Sequence, residues 1–230
     1  MSAFQKRTIQ VAGIIDEDEA RLLVECGVDL LGFPLDPVHG EEEIAGEMAG
    51  RVVRGLRPPV QGVLITYLSL AGAILSRCQD LGVSIVQLHG SVPLEEILRL
   101  RSAAPDLVIV RTLVVRGGNL SQLVDEVDRL SPHVDAFLTD TFDPGTGRWG
   151  ATGKTHDWSV SRRLVEHSTR PVTLAGGLTP ENVRQAILDV GPAGVDVHTG
   201  VEDSRGRKDR RLVESFIGEA RHAFALSRTP

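Results

Sequence analysis

The regular alternation of short apolar runs with longer amphipathic stretches constrains the fold of this 230-residue chain most strongly. The runs are rich in Val, Ile and Leu without alternating polar residues, which is typical of parallel strands buried on both faces. The intervening stretches are long enough for crossover helices. Eight regular units predict a single (β/α)8 TIM barrel over residues 1–230, with its core at about 8–225, in preference to a doubly wound sheet. The runs begin near Ile9, Val28, Val60, Val83, Leu107, Val134, Val172 and Val195.

Several amphipathic stretches also carry direct helix signals. Helical spacing of apolar residues predicts helices over Glu17–Cys26 and Leu94–Ala103. Asp16 stands where an N-cap residue is expected for the first of these. Pro180 follows a threonine and precedes a glutamate, a pattern that predicts a helix beginning at the proline.

Composition and charge narrow the class of function. The formal net charge of -6 offers no basic surface for a polyanion, so nucleic acid is not expected as a partner. The first apolar segment, Thr8–Ile15, is too short to span a bilayer, and residues 1–7 lack the apolar run of a signal peptide. We therefore expect a cytoplasmic protein with no membrane partner.

Neither Cys26 nor Cys78 has a Cys or His at metal-ligand spacing, so both are predicted to be buried structural thiols, with no metal or other cofactor. Monomer and homodimer both stay open.

Two loops near the C-terminus are candidates for binding an anion. Chemistry in such a barrel lies where strands end and loops begin, and the last two of these loops often bind phosphate together. Paired glycines allow backbone amides to approach an anion closely, although they also suit a plain tight turn. A basic turn that follows the last run either adds positive charge or is solvated surface. The candidates are Gly176 and Gly177 after the seventh run, Thr199 and Gly200 after the eighth, and then Arg205, Arg207 and Lys208.

Two further runs, the sixth and the fourth, end in a titratable residue. Asp140 comes directly after the sixth run and either donates a proton to substrate or caps a loop. His89 ends the fourth run and either contacts substrate or caps the next helix. The glycine-rich segment Gly145–Trp158 fails as a nucleotide-binding P-loop because Arg148 occupies the position of the first glycine. A mobile lid over the barrel mouth is the remaining interpretation of this segment.

These motifs, in this order, resemble the phosphoribosylanthranilate isomerase family of tryptophan biosynthesis, which converts an aminoaldose phosphate to an aminoketose phosphate. The likeness extends from Gln10 to Asp209. The resemblance implies a small phosphorylated substrate, a phosphate site at Gly176, Gly177, Thr199 and Gly200, and Asp140 as the general acid. Gly153 joins the predicted substrate-binding residues. The matching segments are Gly27–Phe33, Val86–Gly90, Gly150–Gly153 with Asp157 and Trp158, Leu174–Leu178 with Pro180 and Asn182, and Asp196 with Gly200–Glu202.

The chain departs from the family pattern at three places. The resemblance implies a cysteine as general base in a Lys-x-Cys-Gly motif, but this chain reads Gln10-Val11-Ala12-Gly13, and Ala12 has no ionisable atom. The acidic segment 36–41 stands where the family has a Ser-Pro-Arg-like segment that meets the anthranilate carboxylate, and it would repel that group. His198 replaces the first serine of a pair near the phosphate.

Three hypotheses about function follow. In the first, the chain is an aldose-ketose isomerase whose base has moved to His198, His39 or His89. In the second, Asp140 and His198 form an acid-base pair for an isomerase or lyase step on another phosphorylated substrate. In the third, catalysis is lost and the barrel binds a phosphorylated ligand or a protein partner. Losing one acid-base partner costs about a hundred- to ten-thousand-fold in rate, so unaided activity would be weak.

Overall fold

Eight parallel strands close into a barrel surrounded by helices, which confirms the predicted fold. The computed structural model describes residues 7–35, 44–143, 148–149 and 155–227. Its strands are β1 (Thr8–Ala12), β2 (Leu30–Leu35), β3 (Gln61–Thr66), β4 (Ile85–Leu88), β5 (Val108–Val115), β6 (Ala136–Asp143), the short β7 (Arg148–Trp149), β8 (Val172–Leu174) and β9 (Gly194–Val197). Its helices are α1 (Glu17–Cys26), α2 (Gly46–Gly55), α3 (Ala71–Leu81), α4 (Leu94–Ala103), α5 (Leu120–Leu130), α6 (Trp158–His167), α7 (Val183–Val190) and α8 (Arg210–Leu226).

The strand order follows the chain and closes between its two ends. Neighbouring strands from β1 to β6 pair in parallel, β6 pairs with β8, β8 with β9, and β9 with β1. The two-residue β7 pairs antiparallel with the end of β6 and lies outside the barrel sheet. Each barrel strand begins within two residues of its predicted start. Continuous apolar runs therefore located every barrel strand.

The helix predictions are correct at two places and wrong at a third. α1 and α4 have the predicted bounds, and the Asp16 carboxylate accepts the Glu19 N–H as its N-cap. α7 begins at Val183 rather than at Pro180. The cause is Asn182, whose side chain accepts the Thr179 N–H and donates to the Gly177 carbonyl, each at 2.8–2.9 Å. These side-chain bonds hold residues 180–182 in a turn and delay the helix.

The core has an inner and an outer part. Side chains alternate along each strand, so one set faces the barrel interior and the other faces the helices. The outer cluster includes the fully buried Phe33, Phe137 and Phe216. The inner cluster is made of small and branched residues, namely Ala12, Leu30, Val63, Ile65, Ile85, Val110, Ala136, Leu138 and Ala175. Ala12 is therefore a buried interior residue at the carboxyl end of β1.

Candidate active site

An acid and an imidazole meet at the mouth where β4 and β6 end. His89 Nε2 lies 3.2 Å from Asp140 Oδ2, and both side chains are almost fully buried. Asp140 Oδ1 accepts the N–H of Thr141 at 2.7 Å. The Tyr67 ring lies 4.8 Å from the His89 ring, centroid to centroid. The carboxyl group is thus held by bonds to both oxygens, and His89 contacts Asp140 instead of capping α4, whose N-cap is Pro93.

His198 lies against the end of β1, on the side of the mouth where β9 and β1 pair. Gly13 has a φ of +75°, and a Cβ atom built on it would lie 2.0 Å from His198 Nε2. The imidazole therefore covers the backbone of the residue next to Ala12, in space that a side chain at position 13 would fill. Only glycine fits here, because of both the left-handed φ and this contact.

A buried ion pair stands behind His198. His198 Nε2 lies 3.4 Å from Glu202 Oε1, and the same oxygen lies 2.5 Å from Lys208 Nζ. Lys208 Nζ also donates to the His198 carbonyl at 3.3 Å, and its side chain is fully buried. A carboxylate at this distance stabilises an imidazolium ion more than a neutral imidazole. Glu202 is thus shared between His198 and the buried Lys208.

The two predicted anion loops touch each other. Gly176 and Gly177 have φ values of 93° and 63°, which favour glycine. A Cβ on Gly200 would lie 1.9 Å from the Leu178 carbonyl oxygen, so the β9 loop packs directly on the β8 loop. Thr199 begins a short 3-10 turn, Thr199–Val201. The structure thus brings all four predicted phosphate residues of these loops to one part of the mouth.

The basic turn after β9 is tied to carboxylates. Arg207 Nη2 lies 2.7 Å from Asp16 Oδ2, and the Lys208 N–H donates to Glu19 Oε1 at 2.8 Å. The exposed Arg205 contacts Asp203 at 3.3 Å. These bonds fix the β9–α8 loop to the start of α1, so the positive charges of the turn are compensated within the protein. An anion beside this turn would be bound by backbone amides rather than by these three side chains.

Two buried titratable residues were assigned no role from the sequence, although Asp196 belongs to a segment that matches the family pattern. Burial and the nearby Asp140 charge raise the pKa of Asp196 on β9 to about 7. Burial lowers the pKa of His156 to about 4. His156 Nδ1 lies 2.8 Å from Thr141 Oγ1, and its Nε2 lies 2.6 Å from Ser161 Oγ. Strand alternation from His198 could have placed Asp196 on the interior face, whereas His156 follows a loop and has no such pattern.

Several predicted features lie outside the described residues. They are Gly153, His39, the acidic segment 36–41 and most of the glycine-rich segment 145–158. Of the two cysteines, Cys78 is buried, and burial raises its pKa to about 12. Cys26 is only half-buried, so the prediction of a buried thiol is wrong there: its sulfur lies beside the exposed Glu214 and Arg210. Within the described ranges, no cluster of three His, Cys, Asp or Glu residues is arranged to hold a metal ion, and no helix is long and apolar enough to cross a membrane.

Comparison with known proteins identifies the family. Residues 17–219 match the family model described as N-(5'phosphoribosyl)anthranilate (PRA) isomerase. The N-(5'-phosphoribosyl)anthranilate isomerase 2 of Methanosarcina mazei is 37% identical, over 94% of this chain and 95% of that protein. The chain belongs to the phosphoribosylanthranilate isomerase family. The isomerase of Haloferax volcanii is 36% identical, over 94% of this chain and 93% of its own length.

Solved structures of the isomerase family share the fold. The enzyme from Thermotoga maritima is 30% identical with a TM-score of 0.79, covering 94% of this chain and 98% of that one. A second structure, 28% identical with a TM-score of 0.77 and the same coverage, is a complex with reduced 1-(o-carboxyphenylamino)-1-deoxyribulose 5-phosphate. The predicted membership of the phosphoribosylanthranilate isomerase family is confirmed.

Proposed function

We propose that this chain is an aldose-ketose isomerase acting on a phosphoribosylated aromatic amine, with Asp140 as general acid and His198 as general base. The observation that carries the proposal is the position of the His198 ring against Gly13, immediately after Ala12. The sequence resemblance expects a base at position 12, where alanine has none. His198 supplies an ionisable group at the same strand end.

The proposed reaction moves protons at four atoms of the sugar. Asp140 donates a proton to the ring oxygen, the C1–O bond breaks, and the nitrogen lone pair forms a C=N bond. His198 then removes the proton from C2, the electron pair of that C–H bond forms the C1=C2 double bond of an enolamine, and the π electrons of the C=N bond return to nitrogen. Loss of the enol O–H proton and addition of a proton at C1 give the aminoketose. No oxidant or cofactor is needed, because this is an isomerisation.

The surroundings of the two groups support their proposed roles. His89 and the Thr141 N–H hold the Asp140 carboxyl in one orientation, which favours proton transfer to a single substrate atom. Glu202 lies 3.4 Å from His198 Nε2 and stabilises the imidazolium that forms when the base takes a proton. His89 is assigned a positioning role for Asp140 in this scheme.

The phosphate is assigned to the touching loops after β8 and β9. Gly176, Gly177 and Gly200 have no side chain that would block an anion, and Thr199 lies beside Gly200 with a hydroxyl group. Phosphate loops after the last two strands are common in barrels of this type. The additional contact from Gly153 stays a prediction.

The aromatic amine need not carry a carboxylate. The acidic segment 36–41 replaces the arginine-containing segment expected from the family resemblance, and like charges repel. A second candidate function is therefore the same isomerisation on a phosphoribosyl arylamine without the carboxylate. Comparing kcat/KM for phosphoribosylanthranilate and phosphoribosylaniline decides between them.

The experiment follows the fluorescence of phosphoribosylanthranilate with wild-type protein and with His198→Ala, Asp140→Asn and Ala12→Cys. We expect about a hundred- to ten-thousand-fold loss of kcat/KM for His198→Ala, and partial recovery in the double variant Ala12→Cys/His198→Ala. His167→Ala is a matched control, because His167 pairs with Asp128 at the end of α6. Full activity of His198→Ala would refute the assignment of the base. Binding without turnover of either arylamine would favour the non-catalytic alternative.

A further inference from the structure

A chain of polar side chains crosses the interior of the barrel below the mouth. Gln10 on β1 donates from Nε2 to Gln87 Oε1 on β4 at 3.0 Å. Gln87 in turn donates from Nε2 to Thr112 Oγ1 on β5 at 3.3 Å. All three side chains are buried, at 2% exposure or less. The proposed acid-base chemistry uses none of them.

At the β1 end of this row of side chains lies Asp196, and two acceptor atoms there lack a donor. Asp196 and Gln10 are partners in the β1–β9 register, and their side chains are within hydrogen-bonding reach. Gln10 Oε1 and Asp196 Oδ1 are both buried without a hydrogen-bond partner among the described residues. Each unsatisfied buried acceptor costs about 1–3 kcal/mol, and more if charged. One proton on the Asp196 carboxyl would satisfy both atoms at once.

We propose that Asp196 is an acid-base residue that carries a proton at neutral pH and donates it to Gln10 Oε1, completing a directional hydrogen-bond chain to Thr112. In this state each link has one donor and one acceptor: Asp196 to Gln10, Gln10 to Gln87, and Gln87 to Thr112. When Asp196 loses its proton, the two amide groups turn over and the Thr112 hydroxyl donates to Gln87. The same four residues are then satisfied with the reverse polarity.

The charges around Asp196 favour this neutral state. Asp140 on β6 repels a second carboxylate, whereas Lys208 before α8 attracts one. The partners on β1, β4 and β5 are the uncharged Gln10, Gln87 and Thr112. The other titratable residue near Asp196 in the sequence is His198, two positions further along, and its ring contacts Glu202. Burial and the Asp140 charge outweigh the hydrogen bond from Gln10 and the charge of Lys208, which favour the carboxylate, and raise the pKa of Asp196 to about 7.

The proposed role of Asp196 is to position charge for Asp140. In its neutral form it keeps a second negative charge out of the barrel interior while Asp140 transfers its proton. This consequence rests on the proposed function. The protonation of Asp196 does not, because it can be measured without turnover.

The test is infrared spectroscopy of the protonated carboxyl C=O band, titrated from about pH 5 to about pH 9. We expect a band that disappears with a midpoint near neutral pH in the wild type and is absent in Asp196→Asn. Gln10→Lys places an ammonium beside the carboxyl and is expected to move the midpoint down by at least about one pH unit. Asp128→Asn, which removes an exposed carboxylate, is the matched control and leaves the band unchanged.

Three outcomes would overturn the assignment. They are a wild-type spectrum with no protonated carboxyl at about pH 6, a band that persists in Asp196→Asn, and an unmoved midpoint in Gln10→Lys. If Asp196→Asn does not fold, the wild-type titration and Gln10→Lys still decide, because an unmoved midpoint in Gln10→Lys contradicts the proposal. The pH profile of kcat/KM for the wild type is expected to show an ionisation that is missing from the profile of Asp196→Asn. An inactive wild type with an intact infrared titration would refute the proposed function but leave the protonation of Asp196 standing.

Discussion

Asp196→Asn should change how stability depends on pH, by an amount that follows from burial. Folding raises the pKa of Asp196 from 3.8 to about 7. The unfolded chain therefore releases this proton at lower pH than the folded chain does. Stability from this group is fully present below the unfolded pKa and is lost as pH rises toward the folded pKa. The loss is roughly 4 kcal/mol, from about three pH units at about 1.36 kcal/mol each.

Asparagine at position 196 is uncharged at every pH and can donate to Gln10, so the variant lacks this loss. The difference in unfolding free energy, variant minus wild type, should rise by up to about 4 kcal/mol between about pH 4 and about pH 8. Urea unfolding at five or six pH values measures it. Contributions from carboxylates that do not interact with Asp196 cancel in the difference, and so does any constant packing cost, whereas Asp140 is coupled to Asp196 and adds to the measured difference. A difference that stays flat across this range would refute the reasoning.

Three further perturbations test the surrounding site. Glu202→Gln should lower kcat about tenfold or more with little change in KM, because the imidazolium of His198 loses its carboxylate, while Asp128→Asn leaves both constants unchanged. Gly200→Ala places a Cβ 1.9 Å from a backbone oxygen, so calorimetry should show at least about tenfold weaker binding of inorganic phosphate; unchanged affinity would remove this loop from the phosphate site. Because folding lowers the pKa of His156, the wild type should lose up to about 3 kcal/mol of stability as pH falls from about 6.5 to 4. His156→Gln should not show this loss. Equal acid dependence in urea melts of both proteins would contradict this.

Local sequence patterns predicted most of the barrel because its strands are continuous apolar runs. The run from Val134 became β6, which begins at Ala136, and the run from Val172 became β8, which begins at that residue. The start of α7 was mispredicted because a side chain intervenes: Asn182 bonds the backbone of Thr179 and holds a turn where proline suggested a helix. Such competition depends on side-chain orientation, which residue type alone does not specify.

The candidate site was predictable only in part. Asp140, His89 and His198 could be found because each directly follows an apolar run, the place where barrel chemistry lies. Contacts between residues far apart in the sequence could not be predicted in this way. Arg207 bonds Asp16 across 191 positions of sequence, which converts a possible phosphate ligand into a loop anchor. The proton on Asp196 likewise depends on burial beside Asp140, and burial depth is a property of the closed barrel.

Exchange of the C2 proton tests the central claim most directly, because it reports removal of that proton by the base itself. Phosphoribosylanthranilate is incubated with the enzyme in deuterated water, and deuterium incorporation into substrate and product is followed by mass spectrometry. The account predicts rapid incorporation with wild-type protein and with His167→Ala, and a loss of about a hundredfold or more with His198→Ala. Incorporation at the wild-type rate in His198→Ala would contradict it, since another group would then be removing the proton.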